Sequence, residues 1–82
     1  MNKKWIIQDL NEAAEQLNEI INKLGQDDYS VTDFELDMQH MYSHLNTAYN
    51  TRNFTDEQIK NFTQQDYEKN RKTPSVLTFI DY

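Results

Sequence analysis

The chain has 82 residues, 14 acidic against 8 basic side chains, a net charge of −6 and no cysteine, with a mean hydropathy of −0.98. That length makes one small domain near the size at which a single core becomes marginal, and the lack of cysteine excludes a disulfide framework and any thiolate metal site. The negative charge is spread over the whole chain, which disfavours the sequence-independent attraction to phosphate behind most nucleic-acid affinity.

The opening "MNKKWIIQDLNEAAEQL" carries a basic pair, but Asp9 and Glu12 interrupt the apolar run that a secretory leader needs. No stretch approaches the roughly 18 apolar residues that span a bilayer. The expected setting is therefore the cytoplasm, with no membrane.

The first predicted element is a helix over 3–24. Ile6, Leu10, Ala13, Leu17, Ile20 and Leu24 step alternately by four and three, and Ile7, Ala14 and Ile21 run beside them. This widens a coiled-coil seam into a bundle-type stripe. Lys23 occupies the last turn and Gly25 is placed as a left-handed residue just past the helix.

A second helix is expected over 33–52. Thr32 and Glu35 have capping-box spacing, and Val31 and Leu36 have the spacing of a hydrophobic staple. The inward stripe is Phe34, Met38, Met41, Leu45 and Ala48, with Tyr42 and Tyr49 beside it. Two matched stripes joined by a short loop predict an antiparallel helical hairpin. Asn53 is expected to cap this helix in the left-handed conformation, with Arg52 complementing its dipole.

The box recurs in "NFTDEQI", where Thr55 and Gln58 cap and Phe54 and Ile59 staple a shorter third helix over 56–71. Ile59, Phe62 and Tyr67 would face inward. The cluster Lys69, Arg71 and Lys72 belongs to that helix's last turn, where it complements the dipole. Pro74 then stops the helix and leaves an apolar tail over 73–82, "TPSVLTFIDY". That tail docks either on its own hairpin or on another chain. Trp5 reads as a cap on the end of the core or as an interface anchor.

The expected fold is all-α: a hairpin, a shorter third helix and a docked tail. The apolar stripes are wider than one hairpin can bury, so a homodimer with a four-helix core is expected.

Chemistry is sparse in the sequence. Asp33, Asp37, His40 and His44 share one side of the second helix, and His40 and His44 at i, i+4 can reach one divalent ion with Asp37 a turn away. The plain reading of that row is a solvated flank. Asp9, Glu12 and Glu19 are further carboxylates on the first helix, with no spacing that sets them opposite. One glycine in the whole chain excludes a glycine-rich phosphate cradle, no serine sits in a nucleophile elbow, and no cofactor motif is present.

"HLNTAYNTRN", residues 44–53, is unusually rich in Asn and Thr for the end of a core helix. It reads as a plain polar surface or as a polar network. His44, Asn46, Tyr49, Asn50 and Arg52 are therefore the candidate partner-binding residues. The expected function is protein–protein interaction or a regulatory accessory role without catalysis. A metal-binding protein or metal-dependent enzyme using His40 and His44, and an acidic antitoxin- or immunity-like inhibitor of a basic partner, are the alternatives.

Overall fold

The computed structural model describes residues 1–75. It contains α1 (Lys3–Lys23), α2 (Val31–Asn50), α3 (Asp56–Lys60) and α4 (Gln64–Asn70), and no strand among the described residues. The two long helices pack antiparallel: Glu12 meets His44 and Trp5 meets Thr51, while Lys23 meets Asp37 near the loop. The expected docking of the tail falls mainly on residues 76–82, outside the described part; Pro74, at the tail's start, is buried.

Each helix begins where a side chain can satisfy its free backbone N–H groups. Asn2 caps α1 by accepting from the Trp5 N–H, and its amide reaches across to the Phe54 carbonyl and Asp56. The same residue's backbone N–H donates to the Arg52 carbonyl at 2.7 Å, tying the start of α1 to the end of α2.

For α2 the cap is Ser30, with Asp33 returning the bond to the Ser30 N–H. Thr32 is instead inside the helix, so α2 starts two residues before the expected 33. The expected box assumed a Glu or Gln as the returning residue, whereas the shorter Asp33 closes the same ring from Ser30. Val31 and Leu36 are 72% and 60% exposed, so they form no staple.

The expected third helix is divided. Thr55 and Gln58 form their box as anticipated, but α3 ends at Lys60. A further box, Thr63 with Asp66, starts α4. The break lets Phe62 turn toward Trp5, with ring centroids 5.6 Å apart, and toward Phe54 at 6.3 Å. A continuous helix over 56–71 would forgo both the second cap, typically about 1 kcal/mol, and this turn of the chain.

Neither expected left-handed cap is present. No residue among those described has positive φ, so Gly25 and Asn53 both have ordinary backbones. Thr51 terminates α2 instead, with its hydroxyl donating to the Thr47 carbonyl. Arg52 reaches the end of the helix as expected, donating from Nη1 to the Tyr49 carbonyl at 2.7 Å while its guanidinium lies over the Tyr49 ring.

The contact between α1 and α2 is thin. Its buried hydrophobic residues are Ala13, Ile20, Met41 and Ala48, with Asp9, Gln16, Thr47 and Thr51 buried beside them. The stripe facing α2 is thus Asp9, Ala13, Gln16 and Ile20: Ala13 and Ile20 belong to the expected seam, while Asp9 and Gln16 are buried in place of the neighbouring Leu10 and Leu17. The other side of that seam points outward, with Ile7, Leu10, Leu17, Ile21 and Leu24 all at least 45% exposed. Leu45 and Tyr49 extend this face onto α2, where with Leu10 they line one shallow groove between the helices.

Candidate functional site

The polar residues of the hairpin collect on the side partly covered by the α3–α4 segment. Here an open cleft of about 380 Å³ is walled by α1, by α2 and by the Phe62–Gln64 connection. Asp9 and Glu12 enter it from α1, one turn apart, and His44 and Thr47 enter from α2 in the same way. The antiparallel register sets the two pairs facing each other.

Within the cleft, His44 Nδ1 lies 3.1 Å from Glu12 Oε2. A carboxylate oxygen of Asp9, one of Glu12 and a ring nitrogen of His44 all fall within 4.8 Å of one another. Asp9 is 5% exposed, and its Oδ2 has no hydrogen-bond partner; Thr47 Oγ1 is likewise buried and unpartnered. These two are the orphaned buried side-chain atoms among the described residues, and both belong to this cleft.

The electrostatics follow from burial. Asp9 is raised to about 6 by desolvation, reinforced by the charge of Glu12. Burial pushes His44 below its ordinary value, opposed by Glu12 and assisted by His40. The imidazole is therefore neutral at neutral pH, and with Nδ1 3.1 Å from Glu12 Oε2 its one ring proton sits on Nδ1 as a donor to that carboxylate.

His40 sits outside the cleft, one turn back on α2. Its Nε2 is 3.2 Å from His44 Nε2, with the rings tilted and 4.9 Å apart. Asp37 is directed elsewhere: it accepts from the Tyr29 hydroxyl at 2.7 Å and from Lys23 Nζ at 3.3 Å. These bonds, the tyrosine's first, hold its carboxyl below the usual range; desolvation, reinforced by the same contact, pushes the half-buried Tyr29 up to about 12. Asp37 thus closes the hairpin loop and does not join the histidines. Asp33 is engaged in the α2 cap.

The Asn-rich end of α2 resolves into a specific task. Asn46 Nδ2 donates to the Arg71 carbonyl at 3.0 Å, and Asn50 Nδ2 donates to the carbonyls of Asn70 and Lys72 at 2.7 and 2.8 Å. The last carbonyls of an α-helix lack intrahelical donors; here two side-chain amides from α2 reach carbonyls at and just beyond the end of α4. Asn46 and Asn50 therefore hold α4 against the hairpin. Tyr49 remains partly exposed on the opposite, apolar face under Arg52, and His44 alone of the five enters the cleft.

Trp5 caps the core end: its Nε1–H donates to Thr51 Oγ1 at 2.6 Å and its ring meets Phe62. The pairing of Asp9 and Glu12 with His44 is the feature that sequence reasoning did not reach. A signal was present, since Asp9, Ala13, Gln16 and Ile20 share seam spacing, and folding the hairpin about its loop carries Glu12 toward His44. The stronger apolar seam beside them obscured it.

Comparison with protein-family models, with curated proteins and with solved structures finds no match for this chain. Among the described residues, no helix is long and apolar enough to cross a membrane.

Proposed function

We propose that this protein is an interaction module, regulatory or accessory in role and without catalysis of its own, and that it works as a homodimer joined through the hairpin's apolar face. The observation that carries this reading is the outward half of the α1 seam. Ile7, Leu10, Leu17, Ile21 and Leu24, with Ala14 between the second and third, repeat with the three-and-four spacing that helix pairing uses, and all are exposed.

Exposed large apolar side chains are ordinary singly, but a row of them from Ile7 to Leu24, the length of α1, is not. The thin buried core supports the same conclusion. Two of its four hydrophobic members are alanines, and a methyl group contributes little of the stabilisation that a chain of this length needs. A second hairpin laid on the outward face would bury that row against its own copy and complete a four-helix core. The acidic side chains of α1 lie off this row, and the charge that borders the groove is Arg52, stacked over Tyr49.

Sedimentation equilibrium at micromolar concentration tests the reading. A dimer of twice the 9.9 kDa chain mass is expected, converted to monomer by Leu17→Glu or Ile21→Glu. A clean 9.9 kDa monomer of the parent chain refutes the dimer.

A further inference from the structure

We infer that Asp9, Glu12 and His44 form a binding site for one divalent transition-metal ion of the Zn²⁺ type. The starting point is Asp9. A carboxylate that is 95% out of contact with solvent (5% exposed), and whose Oδ2 has no donor, is an expensive group to keep in a fold this thin. The neighbouring Glu12 carboxylate aggravates the cost. A cation placed between them reverses the sign of both effects.

The donor set selects the kind of cation. Two carboxylates and an imidazole nitrogen suit Zn²⁺ and its first-row neighbours, whereas Mg²⁺ and Ca²⁺ prefer oxygen alone. Three protein ligands on one side of an open cleft leave the fourth position to water or to a ligand from outside. Glu12 and His44 already stand 3.1 Å apart, close to the roughly 3.4 Å separating ligand atoms around a tetrahedral ion with bonds of about 2.1 Å. The three ligand atoms lie within 4.8 Å of one another, and Glu12, which is exposed and has three side-chain torsions, has room to adjust around an ion.

His40 then acquires a role as a positioning residue. When His44 gives its Nδ1 lone pair to the metal, its proton resides on Nε2 and is donated to His40 Nε2, 3.2 Å away. This is the support that metal-bound histidines generally receive from their second nitrogen. Without metal the proton resides on Nδ1, facing Glu12, so loading the site reverses the tautomer of His44. The i, i+4 histidine pair visible in the sequence is thus one ligand and its support, and the remaining ligands come from the other helix.

The test is calorimetric titration of the chelator-treated full chain with Zn²⁺, with Mg²⁺ as the contrast. One Zn²⁺ per chain is expected, with Kd on the order of micromolar or tighter, a rise in Tm on loading, and no comparable effect of Mg²⁺. Asp9→Asn, Glu12→Gln and His44→Gln should each weaken binding by more than about tenfold, His40→Ala by about tenfold, and Asp37→Asn should leave it unchanged. Asp9→Asn removes a buried charge and so keeps the metal-free fold, verified by circular dichroism; its loss of binding is therefore not loss of structure. Nitrogen-15 spectra should show His44 protonated on Nε2 in the loaded form. Binding no tighter than about millimolar, or binding that survives Asp9→Asn but is abolished by His40→Ala, overturns the site.

Discussion

The indole N–H of Trp5 donates to the hydroxyl of Thr51 at 2.6 Å, joining the first turn of α1 to the residue that ends α2. Thr51 is fully buried and passes its own proton to the Thr47 carbonyl, so the three residues form a chain of hydrogen bonds across the open end of the hairpin. Thr51→Val keeps the shape and removes the acceptor, leaving the indole N–H without its partner. A loss of about 1–3 kcal/mol is expected in urea denaturation. Trp5→Phe combined with Thr51→Val should cost less than the sum of the two single changes, because the orphaned donor is then gone.

Asp9 imposes a pH dependence of known sign. Its folded-state value near 6 lies above the ordinary 3.8, so below about pH 4 the residue is protonated in both states and contributes nothing. As pH rises from about 4 to 6 the unfolded chain releases the proton first, and the native state loses stability over that window. His44 works in the opposite sense: its lowered value makes the fold lose stability as pH falls below 6.5. In chelator-treated protein, Asp9→Asn should therefore raise stability at pH 7 by about 1–2 kcal/mol, with the gain vanishing near pH 4. Thermal melts at both pH values check this, and an equal gain at pH 4 would assign it to packing instead of charge.

Asn50 donates to two carbonyls at the end of α4 and Asn46 to one. Asn50→Ala should destabilise by about 1–2 kcal/mol and Asn46→Ala by about half as much. The more telling readout is local: amide exchange in Gln64–Asn70 should speed up while the centre of α1 is less affected. Uniform acceleration in both segments would mean that α4 is not held by these amides.

Gly25 has no left-handed backbone, and a methyl added there meets the Asn22 carbonyl at an ordinary 3.5 Å. Gly25→Ala should accordingly raise the melting temperature, with a gain of about 0.4–1 kcal/mol from the reduced freedom of the unfolded chain. A loss of stability would show that the loop needs the conformational range of glycine.

Much of this fold was legible in the sequence because it is written in local chemistry. The periodic stripe gave α1 to within one residue at its end, the Thr55–Gln58 box gave the start of α3, and Arg52 sits on its own helix end as expected. Signals of this kind act over three or four residues and need no knowledge of the rest of the chain. They failed where two local solutions compete. Ser30 and Thr32 both offer a hydroxyl, and Thr63 with Asp66 interrupts a helix that propensity alone would carry through.

The sequence by itself determined an acidic, helical chain with two long amphipathic helices, and it marked His44, Asn46 and Asn50 as out of keeping with a plain solvated helix. Only the tertiary structure decided which side of each stripe is buried, because a wide apolar face permits several rotations of one helix against the other. Packing chose the rotation that buries Asp9, Ala13, Thr47 and Ala48 between the helices, where small side chains let the helices approach. That choice turns the leucine row outward, sets Glu12 beside His44, and directs Asn46 and Asn50 at the end of α4. None of these pairings is carried by spacing within one helix. Each depends on the register between two.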